Sequence, residues 1–363
     1  MSLKADIAIV GAGMAGAGLA AAIGDAARVV LIEAEAQPGY HATGRSAAFW
    51  SESYGGPFVQ PLTSASRPFL EEQGFLKPRG GLHLADAAGE GALAALGAEQ
   101  GGRVRLEPLG RGEVAAMVPG LRPGWDAGLY EPSCADIDVA ALHAFYLAAA
   151  RQAGAILLTD AALRSAAREG GRWRLDTAAG PVEVETLVDA AGAWGDPVAR
   201  MAGARPLGIR PCRRTVVQLR VDPPAPAGLP LVIDARGTFY FKPEAGGRIW
   251  LSPQDETPCQ ASDCQPEELD VALAVDRLQR VVDWRVLRVE RAWAGLRSFA
   301  PDRRPVYGFA PDTPGFFWCA GQGGFGIQTA PAASELAAAL LLGGATALDP
   351  APYSVERFRT ARD

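Results

Sequence analysis

Residues 5–33 read ADIAIVGAGMAGAGLAAAIGDAARVVLIE, and the fold turns on this stretch. Ala5 to Val10 is a short apolar run stopped by glycine, which predicts a buried strand. Met14 to Ile23 is alanine-rich and predicts a helix. Arg28 to Ile32 is a second β-branched run ending at Glu33, so the whole reads as a βαβ unit with very short connections. Gly11-Ala12-Gly13-Met14-Ala15-Gly16 makes the turn. Gly11 permits the tight bend, Gly13 lets backbone approach a diphosphate without a Cβ clash, and Gly16 lets the helix pack on the strand. The N–H groups and dipole of the helix that Met14 and Ala15 open then face the diphosphate. Glu33 stands about twenty residues on, where it meets ribose hydroxyls, and Ala34 follows where a binder of a 2′-phosphate carries a basic residue. The stretch is a dinucleotide nest, and by itself it serves NAD and FAD alike.

The chain has 363 residues, 48% of them hydrophobic and 21% charged. That is too long for one compact core, so two domains are expected. A net charge of -6 argues against nucleic acid or an anionic membrane surface as partner. Cys134, Cys212, Cys259, Cys264 and Cys319 show no CxxC spacing and are read as reduced thiols of a cytoplasmic protein. His41, His83 and His143 are scattered, so no metal site is expected. Ile7 to Ile23 carries no charge and resembles a signal core or a membrane span. Asp6 precedes it where a signal needs positive charge, and glycines interrupt it. Neither a targeting segment nor an integral membrane span is expected.

Further along, Gln37 to Tyr54 is polar and aperiodic, hence a loop. Ser64 to Glu72 is helical, with Pro68 in its first turn. Gly80 to Asp86 begins a strand of another sheet. Asp138 to Ala153 is an amphipathic helix capped by Asp136 or Asp138. Ile156 to Arg174 reads as strand, turn and strand, and Val182 to Ala190 as one more apolar strand. Arg214 to Val221 and Phe239 to Lys242 alternate, and a turn at 243–247 leads into Arg248 to Leu251. Pro266 to Val282 is helical, Phe316 to Ala320 is a strand, and Gln328 to Leu342 is a long helix with Pro331 in its first turn. The class is α/β. A Rossmann-like cofactor domain is expected from 1–78, 135–210 and 292–363, with an inserted mixed-sheet α+β substrate domain from 79–134 and 211–291.

Three later motifs narrow the nucleotide to FAD. The first is Gly39-Tyr40-His41-Ala42-Thr43-Gly44-Arg45-Ser46-Ala47-Ala48. Its small residues and hydroxyls, just after the second strand, can run along the diphosphate and the flavin edge. Arg45 supports a phosphate or the fold. The second is Ala190-Ala191-Gly192-Ala193-Trp194 at a strand end. The third is Gly321-Gln322-Gly323-Gly324-Phe325-Gly326-Ile327-Gln328-Thr329, ahead of the last long helix. A helix N-terminus there favours the negative charge that a flavin ring gains on reduction. NAD enzymes have no need of this second cradle.

With these pieces the chain resembles the D-amino acid oxidase/dehydrogenase superfamily of FAD enzymes over nearly its whole length. Within it, the sequence is most similar to bacterial D-amino acid dehydrogenases of the D-arginine dehydrogenase type. The stretches that carry the likeness are 36–41, 43–48, 135–138 and 205–208, Trp293-Ala294-Gly295-Leu296-Arg297-Ser298-Phe299, and the 321–329 cradle. The resemblance implies non-covalent FAD and a substrate carboxylate held by Arg214, Tyr240 and Arg297. It further implies Tyr54 on a covering loop and the Gly324 carbonyl receiving the substrate amine. Successive strand residues face opposite ways, so only one of Arg213 and Arg214 reaches the site. Two departures bear on the substrate. Phe49 stands where the D-arginine type has histidine, and Pro78-Arg79 continues as Gly80-Gly81-Leu82 without the acidic residue of that type. A cationic side chain would lose its counter-ion.

The expected reaction is therefore oxidation of a neutral, apolar D-amino acid by hydride transfer to flavin N5, with hydrolysis to a 2-oxo acid and ammonia. Two alternatives stand beside it: glycine, sarcosine or a 2-hydroxy acid as substrate, or a flavin-binding scaffold or sensor without turnover. The electron acceptor, oxygen, a quinone or another, is left open.

Overall fold

The computed structural model describes residues 2–359. Strand Ile7–Val10 is buried at every position. Ile7 and Ile9 pack into one layer, Ala8 and Val10 into the other. A strand covered on both faces has no polar side to show, which is why its sequence is a continuous apolar run. It lies between Val29–Ile32 and Thr186–Asp189 and runs parallel to both, with Ile9 opposite Leu31 and Val188. Ile156–Leu158 and Phe316–Ala320 extend the sheet in parallel, and Val306–Phe309 closes it antiparallel.

Helices Met14–Ile23, Val139–Gln152 and Ala330–Leu342 cover one face of this six-stranded sheet. Asp138 caps the middle helix, accepting from the Ala141 N–H at 2.9 Å. A separate four-stranded sheet covers the other face, with Trp173, Leu175 and Val182 packed on Ala8, Val30, Phe316 and Trp318. Each large apolar side chain so buried contributes about 1.5–3 kcal/mol.

A ten-stranded sheet forms the second body of the fold. Its longest pair, toward one edge, is Arg210–Asp222 antiparallel to Arg285–Phe299, with Cys212 opposite Arg297 and Arg214 opposite Gly295. Helix Glu268–Val281 buries Ala274, Leu278 and Val281 on one face, against Val217, Leu219, Phe241 and Leu251. The other face carries Val216, Ile233 and Tyr240 toward Ala47. These sheets give the expected α/β class, a Rossmann-like layer with an inserted mixed sheet.

Three local expectations change. The helix predicted from Ser64 starts at Gln60, because Pro61 supplies its first turn, and Pro68 lies in its interior. Val182–Ala190 is two strands: Gly180–Val184 belongs to the four-stranded sheet and Thr186–Asp189 to the parallel one. The break falls where Glu185 and Thr186 both donate to the Asp6 carbonyl. Ile156–Arg174 is split in the same way, its first strand in the parallel sheet and Leu163–Glu169 and Arg172–Thr177 in the other. Apolar runs do not announce a change of sheet.

The tightest point of the fold is the approach of helix to turn. A Cβ on Gly16 would collide with the Gly11 carbonyl oxygen and crowd Ile9. Gly16→Ala should therefore cost about 1–3 kcal/mol in chemical denaturation and leave the purified chain depleted of bound nucleotide.

Candidate active site

A cavity of about 460 Å³ runs from the Gly11 turn to the ten-stranded sheet. At the first end Gly11 bends with φ +97°, and a Cβ there would lie 2.6 Å from the Ala190 carbonyl oxygen. Glu33 is buried and fixes the turn: one oxygen accepts from the Ala12 N–H at 2.9 Å, the other from the Glu35 N–H at 3.0 Å. Thr43 Oγ1 accepts from the Met14 N–H at 2.9 Å, tying the 39–48 loop to the helix start. His143, which sequence reasoning passed over, donates through Nε2 to the Ala12 carbonyl at 2.8 Å from behind the turn. Burial lowers its pKa, so it acts there as a neutral donor. His41 lines the wall with its ring 4.6 Å from that of Trp194 and donates to Glu35 at 2.8 Å.

Arg45 also lines the wall, yet its guanidinium is spent on protein. It donates to the Cys264 and Ala294 carbonyls at 2.8 and 3.1 Å and pairs with Asp263. Of the two expected roles, support of the fold is the one the geometry displays. Ser46, Ala47 and Ala48 continue the wall, as do Ala191 and Gly192. Asp189 underpins that second turn by accepting from the Ala191 N–H at 3.1 Å. Burial holds its carboxyl well above the carboxylate range.

At the far end Arg214, Tyr240 and Arg297 line the cavity together with Gly323, Gly324, Gly326, Ile327 and Gln328. Strand alternation separates the two neighbouring arginines. Arg213 turns to the helix face and pairs with Asp270 and Glu267, while Arg214 turns inward. Both inward guanidinia are buried. Burial and the nearby charge of Arg297 lower the Arg214 pKa. Arg214 donates to the Asp255 carbonyl at 2.7 Å and to Glu256 at 3.3 Å. Its Nη1 is buried and has no hydrogen-bond partner among the described residues. Gly324 lies directly against the Arg297 guanidinium, where a Cβ would collide with it.

Five expected site residues are not in the cavity wall. Gly16 is one turn into the helix, against Gly11. Gly44 donates to the Gly39 carbonyl at 2.7 Å inside its own loop. Thr329 turns back, donating from its N–H and hydroxyl to the Phe325 carbonyl, while its own carbonyl accepts from the Ala333 N–H at 2.9 Å. Phe325 packs on Tyr54 at 5.4 Å between centroids. Tyr54 itself stands behind the wall and accepts from Arg297 Nη2 at 2.7 Å. Burial pushes its phenol up, but the charges of Arg297 and Arg214 outweigh that and hold it below the ordinary tyrosine value.

The Tyr54 loop is held from two sides, by Gln328 of the expected cradle and by Glu131, which the sequence did not single out. Gln328 Nε2 donates to the Tyr54 carbonyl at 3.0 Å. Glu131, fully buried, accepts from Ser51 Oγ at 2.8 Å, from the Glu52 N–H at 2.7 Å, and from Ser53 Oγ. Ser53 in turn is bonded to His83 at 2.8 Å. Burial raises the Glu131 carboxyl, and the His83 and serine contacts more than reverse it. A buried ion so satisfied has no obvious local signature: apart from Ser133, its partners Ser51, Glu52, Ser53 and His83 lie far off in the chain. Gly81, whose missing acid bore on the substrate, faces Cys134 and not the cavity. Even so, among the described residues the acidic ones in the wall are Glu33 and Glu35, at the nest end.

The profile of the family described as "FAD dependent oxidoreductase" (DAO) matches residues 6–340. The chain belongs to the DAO family of FAD-dependent oxidoreductases. Glycine oxidase of Geobacillus kaustophilus is 28% identical over 251 residues, covering 69% of this chain and 65% of that protein. Hydrogen cyanide synthase subunit HcnC of Pseudomonas aeruginosa is 29% identical over 218 residues, covering 59% of this chain and 51% of the subunit. These sequence matches therefore span about half to two thirds of the curated relatives. The crystal structure of the Geobacillus glycine oxidase superposes with a TM-score of 0.86 at 25% identity, over 99% of this chain and 100% of that one. L-proline dehydrogenase from P. horikoshii shares the fold with the same TM-score at 23% identity.

FAD is accordingly the cofactor, and the DAO chain has the chemistry for it. The Gly11 turn opens a helix N-terminus suited to a diphosphate, and the cavity connects it to Gly323, Gly324 and Gly326, which put no side chain in the way of a planar ring. Burial pushes the Cys319 thiol up to about 12, so it stays a protonated core group. None of the helices among the described residues is long and apolar enough to cross a membrane.

Removing the Glu131 carboxylate leaves the donors of Ser51, Glu52, Ser53 and Ser133 without their acceptor in a buried site. Glu131→Ala should lower the unfolding free energy of the holoprotein by about 3 kcal/mol, and Glu131→Gln, which keeps an acceptor, by clearly less in the same denaturation series.

Proposed function

We propose that this DAO-family enzyme oxidises a small neutral D-amino acid, held by its carboxylate against Arg214, Tyr240 and Arg297. One observation carries the reading: a buried arginine in the cavity wall with an unpartnered Nη1, beside a phenol and a second guanidinium. A buried charge without its full set of partners is costly, and a planar carboxylate is the ligand that completes it.

The neutral side chain is supported by the walls around the clamp. Phe49 packs edge-on to Tyr240 at 5.4 Å and to Tyr54 at 5.1 Å, and Val216 and Leu296 line the same end. With acids confined to the nest end, a cationic side chain here finds no counter-charge in the wall. The D configuration and the narrower likeness to the D-arginine type rest on the stretches quoted above. Glycine or an N-methylated glycine is the second reading, favoured by the full-length structural likeness to a glycine oxidase.

FAD supplies the hydride acceptor. We assign its ADP half to Gly11, Gly13, Met14, Ala15, Glu33, Ala34 and Thr43, and its ring to Gly323–Gln328, held without a covalent bond. His41, Ser46–Ala48, Ala191, Gly192 and Trp194 flank it. The protein orients the substrate and excludes water. Arg214 and Arg297 fix the carboxylate, Tyr240 adds a phenol donor, and the Gly324 carbonyl receives the amine. Tyr54 steadies Arg297 from behind and, through its loop, covers the site. If the amine arrives neutral, departure of the α-hydrogen with its electron pair leaves a protonated imine and no base is required. Water then gives the 2-oxo acid and ammonia. The helix start at 330 follows the glycine run, and its dipole favours negative charge there.

The fold divides, on this reading, into a cofactor-binding part and a substrate part along the two sheets. We place the last boundary near 300, since strand Arg285–Phe299 belongs to the ten-stranded sheet. The earlier limit of 363 includes residues 360–363, which lie outside the described range. Five unpaired thiols fit a reducing cytoplasm.

Anaerobic bleaching of the flavin by a panel of D- and L-amino acids tests the reading. Small neutral D-amino acids should reduce it fastest, and no bleaching by any amino acid would overturn the assignment. Arg297→Ala should raise KM about 100-fold or more, the equivalent of a lost buried charge contact of 2–5 kcal/mol, while flavin stays bound. A KM near the parent value removes Arg297 from the clamp.

A further inference from the structure

Two positive groups beside one substrate carboxylate leave a charge over, and the chain supplies a carboxylate of its own. Glu256 sits on the protein side of the clamp. Its Oε1 is 3.3 Å from Arg214 Nη2 and 3.5 Å from Arg297 Nη1. The same carboxylate takes both oxygens to Arg303 Nη2, at 2.9 and 3.0 Å. Arg303 is mostly exposed, whereas Arg214 and Arg297 are buried. Glu256 thus bridges a solvent-facing cation to two desolvated ones.

The segment that carries it is rigidly placed. Asp255 accepts from the Thr215 N–H at 2.7 Å and from Thr215 Oγ1 at 2.9 Å, one residue beyond Arg214 on the strand. Gln254 is held at φ +51°, a left-handed conformation that non-glycine residues adopt at a cost. It is fixed by bonds from its N–H to Ser252 Oγ at 3.1 Å and from its side chain to the Phe239 carbonyl at 3.0 Å. A strained residue held by two partners, two positions before the carboxylate that meets the clamp, marks a segment the surrounding structure enforces.

We propose that Glu256 is a specificity-determining residue: the built-in second carboxylate that balances the Arg214–Arg297 pair, so that the site accepts a substrate with one carboxylate and rejects one with two. The inference rests on the carboxylate-clamp reading above. Arg213 turns away and pairs with Asp270 and Glu267 on the other face, and Arg303 and Asp255 offset each other in charge. With Glu256 in place the Arg214–Arg297 pair keeps one net positive charge before substrate arrives. The single carboxylate of an amino acid whose amine is neutral cancels it. A dicarboxylate adds an unpaired negative charge in a partly desolvated site, where charge interactions are felt far more strongly than in water.

The test uses propionate and malonate, near-isosteric acids that differ by one carboxylate, titrated calorimetrically into the FAD-loaded enzyme. The wild type should prefer propionate. Glu256→Gln should shift the malonate-to-propionate affinity ratio toward malonate by about tenfold, a factor that corresponds to 1.4 kcal/mol. Arg303→Gln, at an exposed position outside the clamp, frees the Glu256 charge and should shift the ratio a few-fold the opposite way. If either ratio stays at the wild-type value or moves in reverse, the inference is overturned; should Glu256→Gln fail to fold, Arg303→Gln decides alone. Loss of propionate binding in Arg297→Ala, with an unmoved ratio in Glu256→Gln, sinks the Glu256 role but keeps the clamp. Unchanged propionate binding in Arg297→Ala sinks both.

Discussion

Two guanidinium groups buried side by side are the constraint around which the far half of this molecule is arranged. Neither can shed its proton, since arginine stays charged at any ordinary pH. Taking each from water costs several kcal/mol before any partner is counted. The strand register of Arg210–Asp222 against Arg285–Phe299 places them together, and hydrogen bonds along both backbones fix that register. Having paid that cost, the fold surrounds the pair with compensation: the Asp255 carbonyl, Glu256, and the Tyr54 hydroxyl. Arg214 Nη1 stays buried without a hydrogen-bond partner among the described residues, and Arg214 lines the cavity.

That arrangement explains why Tyr54 lies behind the wall and not in it. A phenol oxygen beside a buried guanidinium is a better acceptor than the weak donor of an apolar pocket, and the charge of Arg297 draws it to the protein side. The loop then needs anchors of its own. Glu131 reaches it from the substrate sheet and Gln328 from the cofactor cradle, so one short segment is bonded to both halves of the fold.

How legible each part was in the sequence follows from the range of the interactions that make it. The nest is local: strand, turn and helix lie within thirty residues, and Gly11, Gly16 and Glu33 meet through contacts their spacing already implies. Helix Met14–Ile23 has the bounds its composition predicts. Arg213 and Arg214 fall on opposite faces as strand alternation demands, although alternation alone leaves open which one turns inward. What pattern could not show was sheet membership, because Gly180–Val184 and Thr186–Asp189 are equally apolar and differ only in their neighbours. Nor could it show Glu131 or Glu256. A carboxylate looks the same in a sequence whether it faces water or a buried arginine, and Glu256 meets Arg214 and Arg297 across about forty residues each way.

The division of labour follows from the same difference in range. A diphosphate needs only N–H groups and a dipole, which one turn and one helix supply, so cofactor binding is encoded compactly and shared across the family. Substrate choice depends on a balance of charges drawn from several strands, where moving one group changes the sum. Arg45 shows the boundary between the two. It touches the cofactor cavity, yet spends its donors on the Cys264 and Ala294 carbonyls and its charge on Asp263, fastening the segment that follows Glu256 to the nest loop. The chain thus ties the segment after Glu256 to the loop beside the nest, through Arg45 and through Tyr40, whose hydroxyl donates to Asp263 at 3.3 Å.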